Sequence, residues 1–279
     1  MRRALSLPAL TLALAGCSVP ELTLAQTANE SADAGVYTCL PNLDGVLDFA
    51  ELQPTLNVPV NYVVSPPGVS RTVDLVAQVG ADGNNFWDFS QSFANDVTAT
   101  IAASPLNAKW YQASFPSGQW AAPLDVADTL EGVYSTDTQA IYLLGAASTE
   151  ESPKEGKTLL VYGTPVAIYR FPLQVGSVWV STGTVQGGVI NGLPYDGTDT
   201  YAVTDDATGE MDLPAYVFTQ VHRVRTTVTQ SPSAGKTQVT QQTSFLFECF
   251  GEIVRATSAL NETNQNFTTA AEVRRLASQ

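Results

Sequence analysis

Positive charge is scarce in this chain. Lys and Arg number 13 against 27 Asp and Glu, a net charge of −14. That balance argues against a nucleic-acid partner, whose phosphates need neutralising cations, and against a basic patch for anionic lipid. It suits solubility, divalent cations or a basic partner. Histidine is scarcer still, with His222 the sole example, in the strand-like run Phe218–Arg225. A lone histidine on a strand is ordinarily a packed or surface residue rather than a general base. No G-x-S-x-G elbow, phosphate-binding loop, dinucleotide fingerprint or thiolate–metal spacing occurs. Ser233-Ala234-Gly235-Lys236 has S-x-x-K spacing, but it lies on a Pro/Gly turn. The companion Lys236-Thr237-Gln238 lacks the glycine that element needs. These absences point away from an enzyme. A glycoside hydrolase needs only two carboxylates, and the 27 acids offer many pairs without singling one out. A hydrolase with an unrecognised carboxylate site therefore stands as an alternative.

Long apolar runs are missing too. The stretch Ala4–Ala15 falls short of the roughly 20 residues a membrane span needs. Preceded by Met1-Arg2-Arg3, it has the proportions of a secretory signal. Its end, Leu14-Ala15-Gly16-Cys17, resembles the bacterial lipobox. The resemblance implies removal of residues 1–16 and lipidation of Cys17, whose chains would bind the membrane at roughly 0.8 kcal/mol per buried methylene. Ser18 stands where Asp favours inner-membrane retention. The expected location is thus the cell envelope, at the outer membrane, facing periplasm or cell surface. Residues 17–36 are small, polar and acidic, and read as the lipid anchor and a flexible tether.

Of three cysteines, Cys39 and Cys249 remain beyond the lipobox. In a disulfide-permissive compartment an even pair reads as one bridge, or else as two buried thiols. A bridge would close a loop of roughly 210 residues, contributing over about 4 kcal/mol on the chain-entropy model.

What is abundant is β-forming sequence. Short alternating or β-branched runs recur every 8–12 residues or so, separated by turn signals such as Ser65-Pro66-Pro67-Gly68 and Pro116-Ser117-Gly118. Expected strands include Val58–Val64, Trp110–Phe115, Val178–Val185, Thr200–Thr204 and Ala215–Gln230. Asp205–Gly209 reads as a turn. The predicted fold is mainly β, an antiparallel sandwich or one or more open half-barrels, with a short helix near 48–53 and another at the C-terminus over Thr268–Leu276. Residues 54–148 and 158–279 form two β-rich halves of one cooperative unit, and the apolar-free stretch 149–157 is an exposed linker or loop. Two aromatic groups, Phe86, Trp87, Phe89 and Trp110, Tyr111, Phe115, Trp120, fall at strand spacing. That favours a place in the core over stacking on a sugar.

Residues 37–53 hold the one motif with chemistry. Asn42 to Glu51 resembles the second part of an EF-hand loop, with Gly45 at the sharp turn. The resemblance implies calcium ligands at Asn42, Asp44, the Val46 carbonyl, Asp48 and Glu51. Leu40 stands where the first aspartate belongs, and Gly35–Cys39 reads as extended where the entering helix should be. The same residues also read as a tight turn, an N-cap and a short helix at Phe49–Leu52.

Further motifs carry a wider resemblance. Phe171-Pro172-Leu173-Gln174-Val175-Gly176-Ser177-Val178-Trp179 is similar to the FPL-x-x-G-x-x-W opening of many exported bacterial β-domains. Met211–Phe218, Val221–Arg225 and Phe245–Ile253 resemble the strands that follow it there. The chain as a whole resembles outer-membrane lipoproteins of the myxobacterial kind, which carry no assigned activity. Its second half is similar in outline to the open half-barrels of periplasmic lipoprotein carriers. The expected role is non-enzymatic binding or scaffolding at the membrane through lipidated Cys17, with a lipid, glycan or protein as ligand. A carrier of a lipid or other hydrophobic ligand is the alternative that the half-barrel resemblance implies.

Overall fold

The computed structural model describes residues 39–80 and 83–278. The expected signal segment 1–16, the expected lipidation site Cys17 and the expected tether 17–36 lie outside the described residues. From Cys39 onward the chain forms one compact unit. It is mainly β, and all but one of its strand pairings are antiparallel.

Among the described residues, sixteen strands join in one sheet. Its main members are β1 (Val60–Val64), β2 (Val97–Ile101), β3 (Trp120–Pro123), β4 (Leu130–Thr136), β5 (Ala140–Ser148) and β6 (Leu159–Arg170). The later ones are β7 (Val178–Ile190), β8 (Leu193–Asp212), β9 (Val217–Pro232), β10 (Gln238–Phe247), β11 (Gly251–Ser258) and β12 (Thr269–Leu276). From β3 to β12 each strand pairs with the next by simple up-and-down hairpins, and β12 then pairs with β1, and β1 with β2. Beyond β3 the sheet ends on Ser104–Pro105, which follows β2 almost directly in the chain. Both ends of the sheet therefore lie on one short stretch, 97–105.

Contacts across the sheet show how far it rolls. Tyr134 on β4 lies within electrostatic reach of Arg255 on β11, seven strand steps away along the sheet. In a flat sheet those steps would separate them by about 34 Å. Trp120 on β3 and Leu246 on β10 likewise share one apolar cluster. The sheet curls until these strands face one another across an interior.

Period-two alternation sorts the side chains. On β10, Leu246 joins the inner cluster with Val203, Val224 and Trp179, while its neighbours Phe245 and Phe247 point outward. Two excursions cover the outer face. Val73, Leu75, Trp87 and Phe89 pack over Phe245, Phe247 and Ala256. Leu106, Tyr111 and Phe115 pack over Val133, Leu144 and Ala147. Both aromatic groups thus serve the core: Trp87, Tyr111 and Phe115 are at most 2% exposed.

One end of the roll is closed by residues 43–52. Val46–Leu47 pairs with Leu173–Gln174, and the short helix α1 (Phe49–Leu52) follows. Leu47, Leu52 and Leu173 are buried in the inner cluster. The Cys39–Cys249 disulfide ties this segment to the chain just after β10.

Three local expectations are corrected. The C-terminal helix is strand β12, because pairing with β11, β1 and Arg71–Thr72 outweighs the three-residue spacing of Ala270, Val273 and Leu276. Trp110–Phe115 contains a 3₁₀ turn at Gln112–Ser114, and its rings reach the core from a coil. Asp205–Gly209 is no turn. Strand β8 runs through it, and a register shift between Asp205 and Ala207 absorbs the extra residue. The charged stretch 149–157 is the connection between β5 and β6, which pair with each other.

Candidate functional site

The inner face carries more polar groups than an ordinary core. Strand β8 alone points Asp199, Tyr201, Val203 and Asp205 inward. Asp199 is 2% exposed. One of its oxygens, Oδ2, accepts a hydrogen bond from the Tyr162 hydroxyl at 2.6 Å, and Oδ1 has no partner. Burial raises the Asp199 carboxyl above its ordinary range, against the Tyr162 and Gln230 side chains, which lower it. Room for this pair comes from Gly183 on β7, where a Cβ would lie 2.6 Å from the Tyr162 ring.

Six residues along β8 the second acid repeats the arrangement. Asp205 Oδ2 lies 2.7 Å from His222 Nδ1, and the two side chains are 0% and 1% exposed. Asp205 Oδ1 and His222 Nε2 both lack partners. Burial again raises the carboxyl, opposed by the hydrogen bond and charge of His222.

The inner face also carries a polar belt built from five strands. The Tyr62 hydroxyl donates to the Glu252 carbonyl at 2.8 Å. Arg255 and Glu252 form an ion pair at 2.8 Å, and Ser244 donates to the same carboxylate. Tyr134 and Tyr169 face this group. Burial pushes Tyr134 up to about 12, with Arg255 pulling the other way. Burial lowers Arg255, yet Glu252 and the rings of Tyr169 and Tyr134 hold it above its ordinary value. Although strands surround it on every side, Arg255 keeps 23% of its side chain accessible. The interior therefore retains space of solvent size.

A cavity of about 290 Å³ lies beneath the β5–β6 and β7–β8 connections, lined among others by Leu130, Leu160, Ile190 and Gln230. Leu160 and Ile190 pack in the same inner cluster as Tyr162, Tyr195 and Tyr201. A smaller cavity of about 60 Å³ lies on the outer side, beside Arg71, Arg275 and Asp96. Asp96 bridges the two guanidiniums there at 2.7 and 2.6 Å.

The predicted calcium residues stand at the closed end. Asn42, Asp44 and Glu51 come together, but their oxygens face the chain. Asn42 Oδ1 accepts the Asp44 N–H at 2.8 Å, and Asp44 Oδ1 accepts the Val46 N–H at 2.9 Å. Glu51 takes the Asn42 amide on Oε1 and the Asp48 N–H on Oε2, so Asp48 and Glu51 form a capping box for α1. Val46 sits in the pairing with Gln174. The bend itself is as the sequence implies, with φ of +79° at Gly45 and +55° at Leu43. Among the described residues no group of three or more His, Cys, Asp or Glu is placed to hold a metal ion. Glu248 completes this loop and was not legible in the motif: its Oε2 accepts the Asn42 and Leu43 N–H groups at 2.6 and 2.8 Å.

Asp199, Tyr162 and Gln230 were also missed. A signal did exist. In Gly197–Asp205 the odd positions place two acids on the face that also carries Tyr201 and Val203, and an acid in step with apolar strand residues marks a buried carboxyl. Comparison with protein-family models, with curated proteins and with solved structures finds no match to this chain.

Proposed function

We propose that the protein is a non-enzymatic binding protein of the cell envelope, anchored through lipidated Cys17, that holds a small hydrophobic or amphipathic ligand inside its rolled sheet. The observation that carries this reading is the cavity of about 290 Å³, whose walls include Leu130, Leu160 and Ile190. Its size is at the lower end of small-molecule sites, and its make-up of apolar walls with a few convergent polar groups is theirs. A roll of this kind refines the half-barrel expectation toward a more closed form. A hydrolase has less support, since Asp199 meets Tyr162 and Gln230 rather than a second carboxylate.

A scaffold role has one observation of its own. Val178 and Val180, 68% and 61% exposed, stand with Thr182 and Thr184 on an outer strip of β7 that carries no charge and that neither excursion covers.

Titration of the full chain with the neutral apolar dye Nile red tests the first reading. Saturable fluorescence enhancement is expected in the wild type. It should be lost in Leu160→Trp, whose indole would fill the cavity. Equal enhancement in both proteins would place the dye on the outer strip and count for the scaffold.

A further inference from the structure

We propose that the rim where the chain enters the roll, made by Leu40, the 213–217 turn and Phe250, rests in the interfacial layer of a zwitterionic bilayer and sets how the fold sits on the membrane. The inference rests on the reading of Cys17 as the lipidated anchor and goes beyond the interior-ligand reading.

Three observations carry it. The first is the point of entry. Cys39 is bonded to Cys249, in the turn between β10 and β11. Residues 18–38 number only 21, and a coil of that length spans about 25 Å. Strand β8 alone has 20 residues, about 65 Å of extended chain. With Cys17 in the membrane, the end of the roll that carries Cys39 is therefore the end held near the lipid.

The second is what stands at that end. Leu40 follows Cys39 and is 79% exposed, Phe250 follows Cys249 and is 37% exposed, and Val217 is 70% exposed. The ring centres of Phe250 and Tyr216 lie 5.4 and 5.8 Å from that of Phe218, which brings the two turns together. Pro214 and Ala215 are exposed beside them, in a turn where the Leu213 N–H donates to the Tyr216 carbonyl at 2.8 Å. Single exposed apolar residues are ordinary, but a group of them at one end marks a contact surface. Aromatic rings such as Tyr216 suit the boundary between headgroups and hydrocarbon.

The third is charge. The runs 39–43, 213–220 and 249–251 contain no charged residue, in a chain of net charge −14. By register, the strands lead from this rim to connections at their far ends. Those connections are charged: 149–157 carries Glu150, Glu151, Lys154, Glu155 and Lys157, and 233–237 carries Lys236. An uncharged rim enters an interface without the cost of desolvating ions, and a charged one does not. The charges that border the three runs, Asp44, Asp212, Glu248 and Glu252, are all acids. No cation stands there to recruit anionic headgroups, so the surface that fits is zwitterionic. The acyl chains supply the anchorage, and the rim supplies orientation, with the charged connections turned away from the lipid.

Full-length protein isolated from membranes and reconstituted in phosphatidylcholine vesicles, with plain or brominated acyl chains, tests this. Flotation reports the anchor, and quenching of an added tryptophan by bromine reports contact of the rim. Leu40→Trp and Phe250→Trp should each lose emission in brominated vesicles, beyond any change seen in the wild type. Leu193→Trp, at a position 70% exposed at the far end of β8, should lose none. Leu40 is exposed enough that its variant reports on the rim even where Phe250→Trp disturbs the contact with Phe218. Floating proteins in which all three variants are quenched equally, or none is, would overturn the docking and leave the anchor standing. A wild-type protein that fails to float would overturn the anchor reading and the docking with it.

Discussion

Asp199 and Asp205 invite comparison because they are so alike. Both sit on β8, both point into the roll, and each has its Oδ2 held by a buried side chain, Tyr162 for Asp199 and His222 for Asp205. They differ in what lies beyond them. The Asp205 end is sealed by the 43–52 segment, which the disulfide and Glu248 hold in place. The Asp199 end adjoins a cavity. One buried acid therefore lies behind a closing segment, and the other beside Gln230, which lines the cavity. Strand pattern does not report that difference.

Breaking the sealed pair should have the largest effect. Asp205→Ala leaves His222 buried without its partner and is expected to cost about 3–5 kcal/mol in urea unfolding. Asp199→Ala should cost clearly less, because the cavity lets water reach Tyr162. Equal losses would erase the distinction between the two ends.

Next comes the bridge. Replacing Cys39 and Cys249 with Ser together should cost about 2–5 kcal/mol. Hydrogen exchange should show where the loss falls: amides around α1 and His222 lose protection, while those flanking Asp199 keep theirs.

A smaller effect is expected at Tyr162. Removing its hydroxyl in Tyr162→Phe should cost about 1.5–3 kcal/mol, the value of one hydrogen bond to a charged group. Asp199→Asn separates burial from pairing. Because the folded carboxyl is raised above its ordinary 3.8, ionising it opposes folding. That penalty is complete above the folded pKa and vanishes as the pH falls toward the unfolded value. The Asn variant should therefore be more stable than wild type at neutral pH, by an amount of order 1 kcal/mol. Its advantage should shrink as the pH drops through the raised pKa toward 3.8. An advantage that grew on acidification would contradict the account.

Smallest of all should be the response to calcium. The Asn42, Asp44 and Glu51 oxygens already accept N–H groups of their own loop. Melting followed with added calcium and then with chelator is expected to show no change. A clear rise with calcium that Asp44→Ala abolishes would restore the loop as a metal site.

Strand content was legible in the sequence because alternation and turn residues are local. Cys39 and Cys249 could be paired because no third cysteine follows Cys17. The N-cap and short helix at Phe49–Leu52 were legible because they too are local, while the part of Glu51 in capping that helix came from the structure. What was not legible depends on distance along the chain. Glu248 reaches Asn42 across 206 residues, and nothing in the 42–51 motif calls for it. Strand β12 took over a helical pattern because its partners come from both ends of the chain. The meeting of Tyr134 with Arg255 follows from the roll of the whole sheet. Asp199 could have been marked as inward by alternation, but the cavity above it is assembled from the 125–130 region, two hairpin connections and β9.

Native mass spectrometry of the full-length protein, released gently from membranes, tests the central claim most directly. The account predicts a small-molecule adduct on the wild-type chain that is absent from Leu160→Trp. A bare polypeptide in both spectra, or an adduct that survives filling the cavity, would contradict it.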